Sequence, residues 1–416
     1  MALTGERTFV GFGFGAIQAG LFLYEAYQSG HFGRLAVAEV LPERVAALRK
    51  AGGRYGLNIA REDGVERVEI GPVEIDDPAV PADRARLVAA IAEAGEIATA
   101  IPKVDWYVSP GPDSLHKILA AGLREKARRR GPRAVIYAAE NHNHAAEILQ
   151  KAVLGEIPAG EQEDVRAQAR FLNTVIGKMS GVKTDAGEIR ALDLRPITPD
   201  APDAFLVEAF NHILISRISF DDFTRGIAVF EEKDDLLPFE EAKLYGHNAV
   251  HALAAYLGWL RGHEFIADIR QDAALMALLR AAFIQESGGA LVRKYAGVDA
   301  LFTPAGYAAY ADDLLARMTN PWLRDTVARV GRDPARKLGW DDRLVGTMRL
   351  ALSQDIQPER FALGAAAALR RLGLPPDAAE DVVSARLHHI WRASAPEPGA
   401  AAQVLALVLR AWRGST

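Results

Sequence analysis

The chain has 416 residues, half of them apolar and a quarter charged, an ordinary globular balance with room for two or three domains. A formal net charge of −5 gives no basic footprint for nucleic acid. Cysteine is absent, which excludes disulfides, iron–sulfur clusters and cysteine-based zinc sites. No uninterrupted apolar run of about 20 residues occurs and the N-terminus lacks a signal-peptide pattern, so no membrane partner and a cytoplasmic location are expected. No repeat of fixed period is evident.

Residues 7–12, RTFVGF, read as a buried strand. The stretch GFGAIQAG follows at 13–20, and then an apolar helix from Leu21 to about Tyr27. Strand, glycine turn and helix in this order open a dinucleotide-binding unit. Gly13 permits a tight turn. Gly15 lets the backbone approach a pyrophosphate lying on the helix N-terminus, at Ala16 and Ile17. The third glycine of the usual pattern is missing: Gln18 stands there, and Gly20 follows two residues later. Gly11 leaves the register open, because GFG also occurs at 11–13, and a plain glycine-rich turn fits the same residues.

The next strand, 34–40, carries Glu39 near its end. A carboxylate there would accept hydrogen bonds from the adenosine ribose hydroxyls and repel a 2′-phosphate, which favours NAD over NADP. A glutamate facing water is the plainer alternative. Residues 42–50 read as a helix, 55–59, 65–70 and 72–75 as short strands, 82–94 as a helix and 96–101 as a buried strand. Residues 103–113, KVDWYVSPGPD, have turn chemistry and no period. The basic helix 115–129 reads as a solvated face, and 132–139 as a strand ending at Glu140-Asn141.

Asn141 falls beyond the carboxyl end of a strand, where open α/β sheets bind ligands and where an amide would stabilise a developing alkoxide. The run ENHNH lacks a metal-ligand spacing; a capping turn is expected and no metal. Residues 162–175 read as a helix, 189–196 and 204–215 as strands, and 218–235 as connecting structure. The alternation over 1–235 predicts an α/β fold: an N-terminal, Rossmann-type doubly wound domain. Helical periodicity at 236–261, 264–286, 305–318, 321–330, 341–353, 357–373, 376–392 and 398–412 predicts a mostly α-helical C-terminal domain over 236–416.

Residues 240–262, EEAKLYGHNAVHALAAYLGWLRG, read as one helix that stops at Gly262. At about 100° per residue, Lys243, His251 and Asn248 fall within about 140° of arc, on one broad face. A lysine, an amide and an imidazole in one apolar pocket are costly to bury without a task. A half-exposed helix with Lys243 solvated and His251 packed satisfies the same spacing. The loop at 329–344 concentrates Arg332, Arg336, Lys337 and Arg343, an anion site or a set of ion pairs with Asp333 and Asp342.

Several stretches now carry a likeness: GFGAIQAG, ENHNHAAEIL at 140–149, KLYGHNAVHALAAYLG at 243–258, and NPWLRDTVARVGRDPARKLGWDDRL at 320–344. The chain resembles the polyol-specific long-chain dehydrogenases of the mannitol dehydrogenase family over nearly its whole length. The resemblance implies metal-independent hydride exchange between NAD and a polyol, with mannitol 1-phosphate and fructose 6-phosphate as the expected pair. Lys243 takes the general base's place, Asn248 and Asn141 those of two alkoxide-stabilising amides, and His251 that of the substrate-orienting histidine. Gly13, Gly15, Ala16, Ile17 and Glu39 match the cofactor turn and ribose acid. Arg332, Arg336 and Lys337 are the candidates for a substrate phosphate.

Three departures stand out. Val175-Ile176-Gly177-Lys178-Met179 lacks the acidic residue that the family often has there, Ala249 replaces a threonine, and the loop 103–113 is longer. The same chemistry on an unphosphorylated polyol or a uronate is the nearest alternative, and a non-catalytic NAD-binding sensor the one outside enzymology. A monomer or small homo-oligomer is expected.

Overall fold

The computed structural model describes Leu3 and residues 5–414. The chain folds as two units, divided between Leu236 and Leu237.

The first unit contains twelve described strands: β1 (Arg7–Phe12), β2 (Phe32–Ala38), β3 (Tyr55–Ala60), β4 (Val65–Ile70), β5 (Glu74–Asp76), β6 (Ala94–Thr99), β7 (Ala134–Ala138), β8 (Ala169–Val175), β9 (Ser180–Lys183), β10 (Ala204–Glu208), β11 (Ile213–Ser216) and β12 (Phe230–Lys233). Eight form one sheet in the order β5-β2-β1-β6-β7-β8-β11-β12. The first six are parallel, and β11 then runs antiparallel to β8. The order reverses between β1 and β6, the switch point at which doubly wound sheets open a crevice beyond their carboxyl ends. The central strands are buried on both faces, which is why they read as apolar runs and not as alternating ones. A second, four-stranded sheet has the order β4-β3-β10-β9.

Four expectations in this unit change. Residues 162–175 are not one helix: Gln162–Gln168 is helical and Ala169–Val175 is β8, paired with β7. Residues 189–196 are not a strand but the end of a short helix, Ala186–Ala191, capped by Asp185, and a turn. Residues 204–215 are two strands in different sheets, broken at 209–212. Part of the connecting stretch 218–235 is β12, added at the sheet edge. Pairing partners distant in sequence decide all four, and local pattern does not report them.

The glycine that the turn motif lacks at position 18 has been relocated. Gln18 is fully buried, and a Cβ on Gly11 of β1 would collide with its amide. The strand, not the helix, supplies the clearance. Gly20 lets the helix 16–29 close on the second sheet, where a Cβ would meet Val207 Cγ1 at 2.5 Å.

The second unit is helical among its described residues. Its organising element is a continuous helix over 237–260 that ends, as read from the sequence, at Gly262 with φ +78°. The segment 264–286 differs from expectation: a 3₁₀ turn, Ile266–Gln271, precedes a helix that runs Ala273–Lys294. That helix is long and apolar enough to cross a membrane by length and composition; Leu275, Leu279, Phe283 and Leu291 bury it in the core of the unit. Of 321–330 only Val327–Val330 is helical.

One buried cation staples the first unit. Lys126, fully buried near the end of helix Leu115–Arg129, donates to the carbonyls of Ala92, Ala94 and Pro132 at 3.1, 2.6 and 2.9 Å. Lys126→Met would leave those carbonyls without this donor. It should cost about 3 kcal/mol of stability, read as a lower midpoint in urea unfolding.

Candidate active site and dinucleotide pocket

In the first unit the turn after β1 opens into a cavity of 620 Å³. Gly13 has φ +83°, and a Cβ there would meet the Ala100 carbonyl at 2.8 Å, so the position requires glycine. Nothing stands within 4 Å of where a Cβ on Gly15 would be. That open space lies at the N-terminus of helix 16–29, a cradle for a diphosphate. Gly13, Gly15, Ala16, Ile17 and Glu39, the five residues expected to hold a cofactor, all line this one cavity.

Glu39 is buried, not turned to water. Its carboxylate accepts the Phe14 N–H at 3.0 Å and those of Val40 and Leu41 at 2.7 and 2.9 Å. These bonds fix a negative charge at the end of β2, beside the glycine turn. A carboxylate has about four acceptor sites, so capacity remains for a ribose hydroxyl.

Asn141 sits in the exposed turn after β7, at the carboxyl edge of the sheet. Its neighbour Glu140 is buried and accepts from Thr99 Oγ1 and Ile101 N–H. Gly177 and Lys178 carry no acid, and Lys178 does a different job: it is buried and donates to the carbonyls of Glu208 and Phe210, tying the approach to β9 onto the end of β10.

Lys243, Asn248 and His251 lie on the helix 237–260 of the second unit. The helix is not regular: Ala242–His247 is a π-helical segment, and Asn248 is the first residue of the α-helix that resumes after it. Such wide turns are frequent at functional sites. They also alter the angular relation that a uniform 100° step assigns to these side chains. Gly246 makes room within the segment. A Cβ there would meet Tyr307 Oη at 2.5 Å and Phe283 Cε2 at 2.9 Å.

The electrostatics separate the groups. Burial pushes the Lys243 ammonium down to about 8, with Arg343 adding to the effect and Glu240 opposing it. Burial takes His251 to about 4; Asp325 opposes this, while Arg329, Arg343 and Lys337 reinforce it. His247 is also lowered well below its ordinary value, by burial and then by His251 and nearby cations. Both imidazoles are therefore neutral near pH 7. His251 Nε2 is buried without a hydrogen-bond partner: Asp325 Oδ2 is 3.9 Å away, and that carboxylate is engaged by Arg329. An unpaired ring nitrogen on the same helix as a lysine brought to about 8 is equipped to meet a substrate hydroxyl.

The expected phosphate trio does not stand as one cradle. Arg332 and Arg336 are on the surface, and Arg336 pairs with Asp333 and Asp342 at 2.9 and 3.4 Å. Lys337 is buried, donates to the Arg332 carbonyl, and is pushed down to about 8 by burial and then by Arg343 and Arg336. The alternating acids of this loop consume its outer cations. Arg343 is the cation whose charge bears on Lys243, His247 and His251 together. Asp325, Arg329 and His247 complete the cluster; His247 stands at i, i+4 to His251 and is legible from spacing, whereas Asp325 and Arg329 are not. Among the described residues no group of three or more metal-ligand side chains is assembled.

Residues 235–393 match the family model of the mannitol dehydrogenase C-terminal domain. The match covers most of the helical unit, up to residue 393. Lys243, Asn248, His251, Asp325 and Arg343 all lie inside the mannitol dehydrogenase domain so defined. Two solved structures share the fold of the chain. The Pseudomonas fluorescens mannitol 2-dehydrogenase, in a ternary complex with NAD and D-mannitol, is 18% identical, with 100% of this chain and 93% of that one covered and a TM-score of 0.71. A D-sorbitol dehydrogenase in substrate-free form is 15% identical, with 99% and 95% covered and a TM-score of 0.75.

Gly246→Ala would force Tyr307 and Phe283 away from the π-helical segment of the mannitol dehydrogenase domain. Overpacking of this kind should cost about 1–3 kcal/mol, measured as a fall in the thermal midpoint.

Proposed function

We propose that the protein is an NAD-dependent polyol dehydrogenase with Lys243 as its general base, interconverting a secondary alcohol of an open-chain polyol and the matching ketose. The observation that carries the reading is Lys243 itself: a lysine brought to about 8 by burial, set in a π-helical turn two turns before the unpartnered Nε2 of His251. A base with its proton affinity near the working pH is what alcohol oxidation needs.

The residues of the first unit suit NAD: the Gly13 turn, the open cradle at Gly15 and the buried Glu39 carboxylate. NAD, when bound, supplies the acceptor for the hydride that leaves the alcohol carbon. Neutral Lys243 removes the hydroxyl proton at Nζ, and in the reductive direction protonated Lys243 returns it. Asn248 donates from its amide as negative charge grows on the oxygen, a contribution of about 3 kcal/mol. The family resemblance alone gives Asn141 a similar task. His251, held neutral, orients the substrate through its free ring nitrogen.

The finer reading is a phosphorylated substrate, mannitol 1-phosphate converted to fructose 6-phosphate. Its support is the set of cations whose charge bears on His251: Arg329, Arg343 and Lys337. A second reading, an unphosphorylated polyol, is favoured by the D-mannitol bound in the P. fluorescens relative of the same fold. NADH oxidation with fructose 6-phosphate against fructose separates them. The phosphate reading expects at least a hundredfold advantage in kcat/KM for the phosphate ester, and it fails if fructose is turned over as well or better.

Two further outcomes test the base. Lys243→Ala should lower turnover about a thousandfold while NADH binds within twofold of the parent protein in a fluorescence titration; near-normal turnover removes Lys243 from the role. Because the neutral amine is the reactive form for oxidation, kcat/KM for the alcohol should rise with pH and level off above about 8. Ketose reduction, which needs the protonated form, should fall over the same interval.

A further inference from the structure

The stretch 103–113 is a built wall and not a loose loop. Val104–Tyr107 makes a 3₁₀ turn. Tyr107 is fully buried, and its hydroxyl donates a short hydrogen bond to Glu140 Oε2. The same carboxylate accepts from Thr99 Oγ1 at 2.8 Å and from the Ile101 N–H at 2.9 Å, so one buried acid joins the ends of β6 and β7 to the loop.

A second clamp closes the loop's far end. Ser114 Oγ accepts the Ser109 N–H at 2.8 Å and lies 2.6 Å from His116 Nδ1, whose Nε2 is 3.2 Å from Glu156 Oε1. The trio has the residue types of a nucleophile relay. However, the Ser114 hydroxyl is buried and also faces the Tyr107 carbonyl at 3.3 Å, so its capacity is used in holding the loop.

Between the two clamps Trp106 is 56% exposed, although its neighbour Tyr107 is fully buried. Trp106 lines the same cavity as Glu39, Val40, Leu41, Ile101 and Pro102. Val40 and Leu41 are also exposed, at 71% and 40%. A large ring held out by a fixed backbone at the mouth of a cavity loses little freedom when a flat ligand covers it. Bases stack on aromatic side chains without needing a hydrogen-bond code.

We propose that Trp106 is a specificity-determining residue of the dinucleotide pocket, packing its indole against the adenine beyond the ribose that Glu39 faces, with the Tyr107–Glu140 and Ser114–His116 contacts as its positioning devices. The inference rests on the NAD reading given above. Trp106 is the one tryptophan before residue 237, the other five lying at 259 or later.

The test is a pair of binding titrations on the full chain, with NADH and with ADP-ribose, which keeps the adenosine half and lacks nicotinamide. Trp106→Ala should raise both Kd values about tenfold, the loss of one base–aromatic stack. Trp106→Phe should restore both to within threefold. Tyr107→Phe, which removes the bond to Glu140 but keeps the ring, should weaken both ligands about threefold. Trp106→Ala binding ADP-ribose within twofold of the parent protein overturns the inference. Parent protein that binds neither NADH nor ADP-ribose overturns the dinucleotide reading itself.

Discussion

The electrostatics of the second unit turn on a lysine kept under cover among other cations. An isolated lysine holds its proton to about 10.4. At Lys243 burial removes the water that stabilises the ammonium, and Arg343 adds repulsion, while Glu240 limits the fall. The same cover and the same cations hold His247 and His251 neutral. Neutral imidazoles can exchange hydrogen bonds with hydroxyls without adding a charge that the interior would have to solvate. One environment thus sets the protonation of Lys243 and of the two histidines together.

The π-helical segment makes this environment possible. Ala242–His247 presents Lys243 from a widened turn, and Gly246 permits Tyr307 and Phe283 to pack directly on it. Farther along the helix, close contact is secured by small residues: Gly258 meets Ile269 and Val327, and Gly364 lets helix Glu359–Arg371 close on Leu253. Asp325, held by Arg329, faces His251 from the segment preceding Val327–Val330. Lys243 and His251 are therefore carried by a rigid helix, which positions groups more closely than a loop does.

In the first unit the corresponding constraint is the reversal of strand order between β1 and β6. It splits the loops that leave the two strands and opens the cavity between them. Buried acids then fix the walls of that cavity. Glu39 gathers three backbone N–H groups at the end of β2, and Glu140 gathers three donors at the ends of β6 and β7. Each carboxylate replaces water with fixed protein donors, so the pocket is shaped before a ligand arrives.

The sequence by itself determined the parts whose signals are local. The turn at Gly13 and Gly15, the acid at Glu39, the helix carrying Lys243, Asn248 and His251, and its stop at Gly262 are fixed by residue type and short spacing. Tertiary structure decided what depends on partners distant in the chain. Residues 169–175 became a strand because β7 and β11 were there to pair with them, and 204–215 split because two sheets claim its halves. The absent third glycine was made good by Gly11, a strand residue that Gln18 meets only in the fold. Arg336 was taken up by Asp333 and Asp342, and Arg343, itself paired with Asp342 at 2.8 Å, bears on Lys243. Charge type is legible in a sequence, but the burial and neighbours that set a proton affinity exist only once the chain has folded.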